Sequence, residues 1–144
     1  MTEENRAKVR WLSRYQRLGQ RVDERFEELA AWRSRATRMG PRLTDGPRAL
    51  REGSRIEEAV ERIIDIEGEI AREIDEMAAA RGEIRAAVAG VEDDTLALLL
   101  EKRYLAAKTW EEIAGEMGYS TMQVWRLHQK GLGSLPRGAE RGFE

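Results

Sequence analysis

The chain has 144 residues, with 25 Lys and Arg against 27 Asp and Glu, one His and no Cys. Disulfides and thiolate metal sites are excluded, and 36% charged against 6% aromatic residues argues for a helix-rich protein rather than a large globular core. The net charge of −2 conceals a segregation: residues 1–55 carry 14 basic and 8 acidic side chains, residues 56–94 carry 4 and 13, and residues 95–144 carry 7 and 6. Adjacent segments of opposite charge are expected to lie along each other, the charges setting register more than stability.

The first segment, Met1-Thr2-Glu3-Glu4-Asn5-Arg6, has no apolar stretch of a secretory leader, and the longest apolar run, Leu96 to Leu100, is too short to cross a bilayer. The expectation is a soluble, cytoplasmic protein with no membrane partner. Trp11, Tyr15, Leu18, Val22, Leu29, Trp32, Ala36 and Met39 recur in steps of three and four, with Phe26 taking over where Arg25 interrupts. This stripe predicts one long helix over about residues 4–39, weaker at its start, where the slot falls on Lys8. Gly40-Pro41 is read as its stop. A polar loop is predicted next, through Thr44-Asp45-Gly46-Pro47 and Arg51-Glu52-Gly53, and Ser54 with Glu57 fits a capping box.

From there the repeat is strict. Ile56, Ile63, Ile70, Met77, Ile84 and Val91 fall seven apart, with Ala59, Ile66, Ile74, Ala80 and Ala87 or Val88 between them. The pattern predicts a second long helix over 55–90. Two such helices joined by one loop fold back most simply as an antiparallel coiled-coil hairpin, over residues 1–92. Pairing two hairpins into a four-helix bundle would bury a second flank that includes Phe26, Val60 and Ile64, so a homodimer is expected.

Glu92-Asp93-Asp94 supplies caps for a third helix, about 94–106, carrying Leu96, Leu99, Leu100, Tyr104 and Leu105. Two short amphipathic helices follow: Ile113, Met117, Val124 and Leu127 form their apolar faces, and Ala114 is small where they cross. Gly118 sits where the backbone turns left-handed, and Thr109 with Glu112 and Ser120 with Gln123 each fit a capping box. Residues 93–135 are therefore read as a tri-helical helix-turn-helix domain, and residues 136–144 as a flexible tail. The fold class is all-α: a long antiparallel coiled-coil hairpin followed by this domain.

Arg103-Tyr104-Leu105, Thr109-Trp110-Glu111-Glu112-Ile113-Ala114, Met117-Gly118-Tyr119-Ser120, Val124, Arg126-Leu127, Leu132 and Leu135 carry a resemblance. This stretch resembles region 4 of bacterial sigma factors, and the whole chain is similar to the small sigma-region-4-like transcriptional regulators of phages and prophages. Over residues 1–92 the likeness is one of pattern and length. The resemblance implies double-stranded DNA as the partner, RNA polymerase as a second contact, and a recognition helix in the major groove. Thr121, Met122, Gln123, Trp125 and Arg126 would then face the bases, and Lys108, Thr109, Ser120, Lys130 and Arg137 the phosphates. Gln123 can pair with adenine and Arg126 with guanine. Met122 and Trp125 depart from the charged residues usual in sigma factors. They suit a thymine methyl or an apolar protein surface, and they argue against the primary promoter element.

His128 is expected on the groove side or exposed. The net +1 of residues 95–144 is low for a lone DNA-binding head, which favours two heads on two half-sites. Two other classes stand beside this reading: a small-terminase-like packaging subunit forming rings on DNA, and a protein-interaction module that touches no DNA. An enzyme fits poorly, since the sequence has neither a phosphate-cradling Gly loop nor a Glu-x-x-His pair for a bundle metal site. No metal or cofactor is expected.

Overall fold

The computed structural model describes residues 1–38 and 47–136, and these are all-helical, with no strand among them. Six elements follow in chain order. They are α1 (Glu3–Leu12), α2 (Arg14–Arg38), α3 (Pro47–Ala89), α4 (Asp94–Leu100) running on into a π-helical turn (Glu101–Leu105), α5 (Trp110–Met117) and α6 (Thr121–Gly133). Among the described residues no helix is long and apolar enough to cross a membrane. Met39, the Gly40-Pro41 stop, the loop residues up to Gly46, Arg137 and the tail beyond it lie outside the described residues.

Two expected helix boundaries are corrected. The first helix is interrupted at Ser13 rather than running unbroken from residue 4 to 39. The carbonyls of Arg10 and Trp11 are taken up by guanidinium groups: Arg17 Nη2 donates to Arg10 O at 2.8 Å and Arg14 Nε to Trp11 O at 3.2 Å. Side chains bonding into the carbonyl ladder are a recognised cause of such breaks. The second long helix begins at Pro47 instead of near residue 55, so Ser54 is helical rather than a cap. Proline lacks the amide that the first helical turn leaves unused, which makes Pro47 a natural first residue.

The chain divides into two compact units, one of residues 1–18 with those from 77 onward, the other of residues 19–76. The expected boundary at 92–93 falls inside the first. There, Trp11 and Leu12 of α1 share a core with Ile84, Ala87 and Val88 of α3, with Val91, and with Leu96, Leu100, Tyr104, Leu132 and Leu135. Lys8, the weak slot of the apolar stripe, is buried, and its Nζ donates to Leu132 O at 3.0 Å. A second, smaller core joins Leu99, Ile113, Ala114 and Val124. Fully burying a large apolar side chain contributes about 1.5–3 kcal/mol, so these two clusters hold the unit together against the entropy of ordering its helices.

In the second unit Leu29 of α2 packs on Ile66 and Ile70 of α3, with Trp32 and Ile63 beside them. Arg25 pairs with Glu69 and Glu73 while Arg33 pairs with Glu67, so the two segments run in opposite directions. One flank is closed by a network in which Arg25 also pairs with Glu28, and Arg62 with Glu28 and Glu69. The hydrogen bond from Arg62, ahead of the charge of Arg25, holds the Glu28 carboxyl below its usual range.

Candidate nucleic-acid interface

Thr109 caps α5 by accepting from Glu112 N at 3.1 Å. The helix stops at Gly118, whose φ of 72° and ψ of 31° lie in the left-handed region that glycine occupies without a Cβ clash. Tyr119 N then donates to Ala114 O at 3.0 Å and closes the turn. Two residues later α6 starts at a complete capping box: Gln123 N donates to Ser120 Oγ at 3.2 Å, and Ser120 N donates to Gln123 Oε1 at 2.8 Å. The first box is only half made, because Glu112 Oε1 meets the Thr109 hydroxyl at 3.3 Å instead of the backbone amide.

Helical periodicity splits α6 into two faces. Val124, His128, Gly131 and Leu132 are buried, while Thr121, Met122, Gln123, Trp125, Arg126 and Lys130 are exposed. Met122 is 65% and Trp125 41% accessible, high for side chains so large and apolar. The five side chains expected to face bases thus share one solvent-facing stretch. Gln123 is constrained: its oxygen already caps Ser120, so reading adenine with both oxygen and nitrogen would require that cap to open. Arg126 is freer, with Nη2 only resting on Met122 Sδ at 3.7 Å.

His128 corrects the expectation of an exposed residue. It is 1% accessible and shares a 2.6 Å hydrogen bond between Nε2 and the Tyr104 hydroxyl. Its ring stands 4.7 Å from Trp110 and 5.5 Å from Trp125, and Trp110 meets Trp125 edge-on at 5.6 Å. The Arg103 guanidinium covers Trp110, its Cζ 4.2 Å from the ring centroid. Burial first, and then the charge of Arg103, push the imidazole down to about 4, while burial pushes the Tyr104 phenol up. Both groups are neutral at pH 7. Periodicity marked position 128 as inward, four residues after Val124; the polarity of imidazole masked that signal.

The backbone-contact set separates in a similar way. Thr109 and Ser120 sit at the two helix starts, and Lys130 is exposed. Lys108 is engaged: its ammonium bonds Glu116, which also accepts from Lys102 Nζ at 2.6 Å. Those two bonds, Lys102 first, hold the Glu116 carboxyl below its usual range. Sequence reasoning passed over Arg81 and Arg85, which are exposed and line, with Lys102, Leu98 and Leu105, a groove of about 420 Å³. Their spacing of four was the available signal, hidden in a segment read for its acidic excess and its apolar repeat.

No protein-family model, curated protein or solved structure matches the chain. Among the described residues, no group of three or more His, Asp or Glu side chains is placed to hold a metal ion.

Proposed function

We propose that the protein is a sequence-specific, double-stranded-DNA-binding transcriptional regulator of the phage sigma-region-4-like kind, α5 and α6 forming a helix-turn-helix whose second helix enters the major groove. The observation that carries this reading is the solvent-facing run Thr121, Met122, Trp125 and Arg126 on a helix anchored from behind by Val124 and His128. Arg126 can donate twice to guanine, a contact worth about 1–3 kcal/mol of discrimination. Met122 and Trp125 offer apolar surface to thymine methyl groups, and Lys130 with the amides at the α5 and α6 starts can hold phosphates. With Lys108 engaged by Glu116, a single head is weakly cationic, and two heads in a dimer on two half-sites supply the missing affinity.

Selection of bound sequences from a random duplex pool tests this. A defined site should emerge, and Arg126→Ala should weaken binding to it about 5- to 150-fold while leaving non-specific binding nearly intact. Lys130→Ala should weaken all duplexes alike and flatten the salt dependence. Failure of any duplex to bind at low salt sinks the reading.

The accessibility of Met122 and Trp125 favours one second reading, an apolar docking face for a protein such as RNA polymerase. In that case Trp125→Ala would abolish capture of the polymerase and no duplex would bind.

A further inference from the structure

Helix α3 carries two apolar seams, and among the described residues only one of them is covered. Within residues 47–76 the first seam is Ile56, Ala59, Ile63, Ile66 and Ile70, in alternating steps of three and four. Ala59, Ile66 and Ile70 are buried there, the last two against Leu29. The second is Val60, Ile64, Glu67, Ala71 and Ile74, again in alternating steps of four and three. Along it Val60 is 45%, Ile64 62% and Ile74 45% accessible. Phe26 of α2, 49% accessible, belongs to the same side, because Arg33, seven residues later on the same helical face, bonds Glu67 at 3.3 Å. The other flank is the one closed by Arg25, Glu28, Arg62, Glu69 and Glu73.

A heptad repeat sustained on a second face specifies a second helical partner. The order of side chains identifies that partner as a copy of the same chain. About Glu67, Val60 and Ile74 stand seven residues to either side, and Ile64 and Ala71 three and four. Two copies of α3 laid antiparallel about a two-fold axis at Glu67 set Val60 against Ile74 and Glu67 against its own copy, and bring the large Ile64 within one residue of level with the small Ala71. Self-complementarity of this kind is what an isologous contact requires. The one charge on the seam, Glu67, is paired with its own Arg33 at 3.3 Å, and that exposed cation lies beside the two carboxylates that meet at the axis.

We infer that the protein pairs with a second copy of itself through the Val60–Ile74 face of α3, antiparallel and centred on Glu67. The inference deepens the paired-head reading by naming the surface that joins the heads, and it holds whatever the heads bind.

Sedimentation equilibrium of the full chain at tens of micromolar tests it. The expected mass is twice the 16.5 kDa of one chain. The double substitution Val60→Glu with Ile64→Glu changes only exposed positions and should halve that mass with unchanged helical circular dichroism. Because the chain has no cysteine, Ile64→Cys and Ala71→Cys proteins can be mixed and oxidised, and the mixed disulfide should exceed either symmetric one. A monomeric parent, a dimer untouched by the two glutamates, a larger ring, or a predominance of symmetric disulfides would each overturn the proposal. A monomer that still selects a DNA site overturns this seam and leaves the DNA reading standing; a dimer that binds no duplex does the reverse.

Discussion

The buried imidazole of His128 makes stability depend on pH in a window that can be worked out. Its ordinary value of 6.5 holds in the unfolded chain, whereas in the fold it is lowered to about 4. Between those values the unfolded state binds a proton that the folded state refuses, so stability rises with pH across the window and is lost as pH falls from about 6.5 to about 4. At about 1.4 kcal/mol for each pH unit the gap amounts to about 3 kcal/mol, a large share of the roughly 5–15 kcal/mol typical of a domain. His128→Gln removes the titration and retains an acceptor for the Tyr104 hydroxyl. Urea unfolding of both proteins, followed by far-ultraviolet circular dichroism in steps from about pH 7 to about pH 4, isolates the effect. The carboxylates, including Glu28 and Glu116, are common to both proteins and cancel in the difference. The parent should lose about 3 kcal/mol relative to the variant over that range. A difference that stays constant with pH would refute the reasoning. Because the chain has a single histidine, its imidazole resonance can also be titrated directly, and a midpoint near the ordinary value would refute it as well.

Other outcomes follow from local geometry. Ala107, two residues beyond the π turn, has a φ of 57°, and Lys108 N bonds Lys102 O around it, so Ala107→Gly should relieve the strain and raise stability by about 1 kcal/mol, read as a melting temperature higher by a few degrees. Gly82 lies inside α3 with nothing within 4 Å of an added Cβ, so Gly82→Ala should stabilise by about 1 kcal/mol in chemical unfolding. Lys8→Ala should cost about 1–3 kcal/mol, since the Leu132 carbonyl loses its shorter bond and keeps only the one from Leu135 N at 3.4 Å; a neutral result would show that the bond from Lys8 contributes no net stability.

Element type was legible wherever apolar spacing was long and regular. The run from Ile56 to Val91 announced α3, and Thr109, Gly118 and Ser120 announced the limits of α5 and the start of α6 by cap chemistry alone. What stayed hidden were choices made by tertiary contacts. The break at Ser13 depends on arginines reaching back to carbonyls, which no periodicity records. The allocation of Trp11, Leu12, Ile84 and Val88 to a core shared with Leu100 and Leu132 was invisible because the same residues also fit a two-helix seam. At the candidate interface, exposure of Thr121, Met122, Trp125 and Arg126 followed from helical phase. The engagement of Lys108 by Glu116, and of Gln123 by its own cap, depended on side-chain reach.

The bond between Lys8 and Leu132 joins residues 124 positions apart, and it has a consequence for how the chain is made. Residues 19–76 form a unit with a core of its own, Leu29 on Ile66 and Ile70, and that core can assemble while the ribosome is still adding downstream sequence. The unit that carries α6 cannot, because Trp11 and Leu12 must wait for Leu132 and Leu135 to be synthesised. Until then the cluster around those early side chains lacks its last members, a hazard for the nascent polypeptide. The same dependence governs dissection: a fragment starting at residue 93 would lack α1 and the end of α3, and with them one wall of its own interior.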